Sequence, residues 1–223
     1  MSDVPSDLLL MLLADARLPV AGHTQSAGLE GAVQQGLTSA EVPLYIAARL
    51  RTTVRCEAGT AVVALHHLTH GLPLEPVVAA WAARTPSAAL RRTSRTQARA
   101  VSRVATRLWA DAGPVARVAA LRGAPRPVAL AACAAAVGLD PLGLARLVGY
   151  DDVQTVASAA LKLLPLDPVV TTGWVHDVLP DVNTAAAAVA GLSEPHDIPA
   201  TTAPQTEGWA EAHSRSTRRL FSA

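Results

Sequence analysis

Apolar positions recur at three- and four-residue spacing along most of the chain, and strict apolar–polar alternation is nearly absent. That pattern belongs to helices that bury one stripe, not to half-buried strands. Ser6-Asp7 caps an apolar run, Leu8–Ala14, which stops before Leu18-Pro19. Thr24 or Ser26 caps a helix through Leu29 and Val33 that closes at Gly36. Thr38-Ser39-Ala40-Glu41 pairs a cap with an acidic first turn, ahead of a long helix from about 41 to His70 with Tyr45, Ala48, Val54, Val62 and Leu65 near helical spacing. Gly71-Leu72-Pro73 ends it, and a helix over Glu75–Ala83 runs up to Pro86.

Ser87 to Asp111 reads as one helix stopped by Gly113-Pro114, followed by Val115–Leu121 and, past a Pro-rich turn, an Ala-rich helix to Val137. Gly138-Leu139-Asp140-Pro141 is a helix stop followed by a cap with proline at the first helical position. The next helix reaches Leu164, Pro165-Leu166-Asp167-Pro168 breaks it, and a last long helix spans 169–191. The pattern predicts an all-α, single-domain bundle of roughly eight to ten helices over 1–192. Residues 193–223 form a flexible C-terminal tail, polar and proline-containing to Gly208, with a short docking element over Trp209–Phe221.

Composition sharpens this picture. A chain of 223 residues, 50% of them hydrophobic, can bury a real core. With only 3% aromatic residues that core is built of Ala, Leu and Val, which suit helix–helix contacts. A formal net charge of +1 gives no whole-molecule steering towards nucleic acid or a membrane surface. Cys56 and Cys133 lie far apart and form neither a CxxC pair nor a disulfide framework. The N-terminal apolar run lacks a basic region and carries Asp3, Asp7 and Asp15, unlike a secretory signal, so a soluble cytoplasmic protein is expected.

Candidate chemistry is sparse. Ser26 lies in T-Q-S-A-G, with threonine where a nucleophile elbow needs its first glycine and with no strand before it, so capping or packing is its simpler role. His66 and His70 share one helical face and could both ligate a metal, or could serve as C-terminal caps. Between Arg84 and Arg107 there are seven arginines and no acid, and Arg91, Arg95, Arg99, Arg103 and Arg107 recur every four residues. Steps of four advance about 40° each, so these side chains form a ridge winding around the helix. The ridge is a solvated face paired with acids elsewhere, a surface for an acidic protein partner or phosphates, or, less readily without aromatic stacking groups, a nucleic-acid contact. Asp151-Asp152, Asp177 and Asp181 are carboxylates with no evident substrate pocket. No catalytic constellation emerges, and the residues describe an interaction protein.

Four blocks, in order from end to end, carry a resemblance. LLLMLLADARLPVAGHTQSAGLEGAVQQGL at 8–37 is similar to the N-terminal stretch of the UreF family of urease accessory proteins, with Leu18, Pro19, Val20, Gly22, Ser26, Gly28, Leu29 and Glu30 matching and His23 standing where the family has an aromatic. ALRRTSRTQARAV keeps Leu90, Arg91, Arg95, Arg99 and Ala100 of the family's arginine helix, while Ala89 and Thr93 replace its two glutamates. VASAALKLLPLDP at 156–168 resembles the family's late PLG block, with Asp167-Pro168 in place of Gly-Gln. HSRSTRRLFSA matches the family's ending through His213, Arg219, Leu220, Phe221 and Ser222. The resemblance implies a non-catalytic homodimer bridging the UreD/UreH scaffold and the UreG GTPase while nickel is inserted into apo-urease. Nickel and GTP would be handled by the complex and not bound as cofactors of this chain. It also implies partner contacts through Ser26, Glu30, Arg91, Arg95, Arg99, the tail, and Lys162, which occupies the position associated with the GTPase face. The competing expectations are a helical nucleic-acid-binding or regulatory protein using the Arg91–Arg107 ridge, or a small metal-binding protein built on His66 and His70.

Overall fold

The computed structural model describes residues 5–15, 17–19, 24–217 and 220–221. Among them are twelve α-helices and no strand. These are α1 Ser6–Ala14, α2 Leu29–Gln34, α3 Val42–Arg51, α4 Thr53–Thr69, α5 Glu75–Arg84, α6 Ala88–Leu108, α7 Gly113–Ala120, α8 Arg126–Val137, α9 Pro141–Leu163, α10 Pro168–Asp177, α11 Leu179–Ala187 and α12 Pro204–Ser214. The all-helical, single-domain architecture is the one the apolar pattern predicts.

The axis of the bundle is α4, which packs on α8 and α9. Every residue from Ala58 to Leu65 is buried, as expected of a helix apolar on all sides. Small side chains permit close approach: a Cβ added at Gly59 would lie 2.7 Å from Pro199 Cδ. One apolar cluster gathers α4, α6, α8 and the first half of α9. A second joins α2, α3, the second half of α9 and the α10–α11 region, and includes Phe221.

Caps follow the sequence signals. Thr38 and Glu41 form a capping box, with the Thr38 N–H donating to Glu41 Oε2 at 2.8 Å. Asp140 caps α9 and Asp167 caps α10, each ahead of a proline. Asp167-Pro168 thus serves as a helix start where the resembling family has Gly-Gln.

Two predicted long helices are each divided. The 41–70 helix breaks at Thr52, whose backbone leaves the helical region (φ −121°, ψ −91°). The Thr52 hydroxyl donates back to the Ala48 carbonyl at 2.7 Å, and Thr201 donates to the Thr52 carbonyl at 3.0 Å. The interruption therefore meets a partner from 149 residues downstream. The 169–191 helix breaks at Val178, because Pro180 has no N–H to continue the ladder.

Where composition pointed to a flexible tail, residues 193–214 are anchored. Ile198 is buried, and Arg84 donates to the carbonyls of Ile198 (2.6 Å) and His196 (2.9 Å). Helix α12 packs against α2 and α6. Glu211 accepts from the Ser87 hydroxyl (2.7 Å) and the Ala89 N–H (2.8 Å), which caps the start of α6 from another element. The stretch has few apolar side chains, but Ile198 and Ala210 are buried, and its backbone carbonyls at 196 and 198 are held by Arg84, remote in sequence.

Candidate functional site

The N-terminal signature and the C-terminal end meet. After the left-handed residues Ala27 (φ 51°) and Gly28 (φ 82°), helix α2 begins at Leu29. The N-cap of α2 is Gly28, not Ser26, but the buried Ser26 hydroxyl accepts from the Glu30 N–H at 3.3 Å and so satisfies a first-turn amide. The Glu30 side chain is buried, and its two oxygens accept separately from the backbone amides of Leu220 (2.7 Å) and Phe221 (2.9 Å). His213 Nε2 lies 3.3 Å from Glu30 Oε2, also buried. Phe221 enters the second apolar cluster, and Lys162 Nζ lies 5.2 Å from its ring centroid. This cation–π contact crosses from the last turn of α9 to the chain terminus. Ser26, Glu30, Lys162, His213, Leu220 and Phe221 thus form one C-terminal clasp. Arg219, His23, Val20, Gly22 and Ser222 lie outside the described residues.

The predicted arginine surface divides. Residues Ser94, Ala98, Val101 and Ala105 make the buried stripe of α6. A ridge rising by four residues drifts about 40° per step, so it starts beside that stripe and ends opposite it. Arg91 is half-buried and donates to the carbonyls of Thr85 (2.5 Å) and Pro86 (2.8 Å). Arg95 is half-buried, with its guanidinium 5.9 Å from the Trp81 ring centroid. Arg92, Arg99, Arg103 and Arg107 are exposed, and Arg99 donates to Thr96 on its own helix at 2.9 Å. Among the described residues none of these arginines forms a salt bridge, although Glu211 lies within electrostatic reach of Arg92. Arg91 and Arg95 contact their own chain, while Arg92, Arg99, Arg103 and Arg107 face outward.

Beside the clasp lies a polar cavity of about 130 Å³, bordered by Arg49, Glu57, Arg126, Asp151, Asp152 and His213. Arg49 is buried and grips Asp152 with two hydrogen bonds of 2.6 and 2.8 Å. Burial alone would depress the Arg49 pKa, but Asp152 outweighs it and the net shift is upward. Arg126 holds Asp151 at 2.8 Å. The adjacent carboxylates therefore serve two different arginines and do not converge on a cation. Glu57 accepts from Trp81 Nε1 at 2.7 Å, and desolvation raises its pKa above the ordinary glutamate value. Sequence inspection missed this network, since the spacing of Arg49, Glu57 and Arg126 carries no motif; only Asp151-Asp152 stood out.

His66 and His70 do come together, with ring centroids 4.1 Å apart. Among the described residues no group of three or more His, Cys, Asp or Glu side chains is placed to hold a metal ion. Cys56 and Cys133 are free, buried thiols, and burial pushes both up to about 12. No helix among the described residues is long and apolar enough to cross a membrane.

Fold and site define an all-helical protein whose N-terminal helical segment clasps its own C-terminus over a polar interior. A sequence model of the UreF family matches residues 37–179. The chain is 37% identical over 215 residues to the urease accessory protein UreF of Mycobacterium sp. (strain JLS), spanning 95% of this chain and 96% of that protein. It is 33% identical to the UreF proteins of Mycolicibacterium vanbaalenii, over 95% of this chain and 96% of the relative, and Mycobacterium marinum, over 96% and 97%. The chain belongs to the UreF family of urease accessory proteins.

Proposed function

We propose that this chain is a non-catalytic bridge in urease maturation. As a homodimer in the cytoplasm it joins the UreD/UreH scaffold to the UreG GTPase, modulates GTP hydrolysis, and helps pass nickel to apo-urease as cargo. The observation that carries the reading is the exposed run Arg99, Arg103 and Arg107, which makes no salt bridge among the described residues of a chain of net charge +1. A cationic strip with no salt bridge among the described residues suits an acidic protein partner, and such strips set association rate and specificity. The clasp supports a second contact. Leu220 is 74% exposed and Lys162 is exposed, so a scaffold that draws the C-terminus away would uncover the buried Glu30 beside the already accessible Lys162.

Co-expression of the tagged chain with the scaffold and the GTPase tests this. Both should be recovered with the wild type, and the triple variant Arg99→Glu, Arg103→Glu, Arg107→Glu should lose one of them, with the wild-type interaction weakening as salt rises. Equal recovery of both partners by the triple variant, or full urease activity in a deletion strain in nickel-limited medium, would overturn the proposal.

A further inference from the structure

We propose that helix α12 is a relay between the C-terminal clasp and the start of the arginine helix α6, so that release of the chain end withdraws the acid that caps α6. The helix lies between α2 and α6 and packs on both. Glu211 and His213 stand two positions apart on it, and two steps of about 100° point their side chains to opposite sides. His213 faces α2, with Nε2 3.3 Å from Oε2 of Glu30, the carboxylate that holds the amides of Leu220 and Phe221. Trp209 adds a ring contact with Tyr45, 6.1 Å between centroids. Glu211 faces α6, where its Oε1 accepts from the Ser87 hydroxyl at 2.7 Å and from the Ala89 N–H at 2.8 Å.

The cap of α6 depends on this remote acid. Ser87 is the N-cap residue, and its hydroxyl oxygen accepts from the Leu90 N–H at 3.2 Å. A hydroxyl has one proton to give, and here it goes to Glu211, which turns the oxygen lone pairs towards Leu90. Glu211, Ser87 and Leu90 thus form one chain of hydrogen bonds, whose members polarise and strengthen one another. The first turn of α6 has no acid of its own, so Glu211 is the carboxylate at the positive end of that helix. Arg91 and Arg92 follow directly. On the opposite side α12 meets α2 without slack: the Trp209 carbonyl and His213 Cβ fill the space that a side chain at Gly31 would need. A shift of α12 at one flank is therefore felt at the other. Within residues 193–214 few apolar side chains are buried, so this segment can undock as one unit below the free energy of global unfolding. The relay goes beyond partner bridging and does not rest on it, since every contact named lies within the chain.

Amide hydrogen exchange of the full chain, followed residue by residue by NMR, tests the relay, because coupling between two sites is reciprocal. Phe221→Ala removes an anchor from an apolar cluster that includes no residue of α6, and should speed exchange of the Ala89 and Leu90 amides about fivefold or more. Leu220→Pro deletes one N–H of the clasp at an exposed position and should act in the same direction with the core side chains in place. Conversely, Glu211→Ala should speed exchange at Leu220 and Phe221 by a similar factor. Ala131, buried in α8, reports global opening and should be unaffected in all three variants. Unchanged exchange at Ala89 and Leu90 in both chain-end variants, or at Leu220 and Phe221 in Glu211→Ala, would overturn the relay. So would equal acceleration at Ala131, which marks global destabilisation. Recovery of partners decides the bridging role separately.

Discussion

Glu30 shows what one side chain can organise. As a first-turn residue of α2 it would ordinarily be a solvated acid favoured by the helix dipole. Here its carboxylate is buried and accepts amides from residues 190 and 191 positions downstream. Two oxygens serving two N–H groups are a use that an amide cannot copy, because its NH₂ would face a donor. Glu30→Gln should therefore loosen Leu220 and Phe221, with their amides exchanging about 10–100-fold faster for a lost charge-assisted bond of about 1–3 kcal/mol. Hydrogen–deuterium exchange resolved at the C-terminus checks this, and unchanged protection would show that Phe221 burial holds the end by itself. The identity of Glu30 was legible in the Ser26-x-Gly28-Leu29-Glu30 signature. Its partner was not, since no local pattern links position 30 to position 220.

Among the elements, the contact of α2 with α12 depends on a missing side chain. A Cβ at Gly31 would lie 2.8 Å from the Trp209 carbonyl oxygen and 3.2 Å from His213 Cβ. The nearest obstacle is backbone, so the helices themselves would have to separate. Gly208, within α12, has nothing within 4 Å of such a Cβ. Local helix propensity alone favours alanine by about 1 kcal/mol at both positions. The two substitutions should differ in sign: Gly208→Ala should hold or raise the melting temperature. Gly31→Ala should lower it by a few degrees, since overpacking costs about 1–3 kcal/mol and each kcal/mol moves Tm about 2–4 °C at this chain length. Equal Tm changes in thermal denaturation would show that α12 is not packed closely on α2. Element boundaries were legible where a cap or a proline marks them, as at Thr38-Glu41, Asp140-Pro141 and Asp167-Pro168. The break at Thr52 was not, because its compensating donor is Thr201 and the apolar spacing runs on through it.

At the scale of the whole molecule, the buried charges around the polar cavity make stability depend on pH. Burial raises the Glu57 pKa, against the lowering effects of the Trp81 hydrogen bond and Arg126. A carboxyl whose folded pKa lies above its unfolded value holds more protons in the native state, so its contribution declines as pH rises above about 4.5 through the folded pKa. Glu57→Gln keeps an oxygen to accept from Trp81 Nε1 and removes the ionisation. It should be at least as stable as the wild type at pH 7 and lose that relative advantage near pH 4, as measured by urea denaturation across the range. A variant less stable at pH 7 than at pH 4, relative to wild type, would show that the charged form is the one the fold favours. The sequence by itself determined the helical class, most caps and the family, because these rest on local periodicity, on capping chemistry within four residues, and on motifs matched in order. The tertiary structure alone decided which arginines of α6 are exposed, which acids the buried Arg49 and the half-buried Arg126 hold, and that the chain end is clasped by Glu30. Burial and pairing across some 100 to 190 residues follow from how helices pack, and no local sequence pattern encodes that.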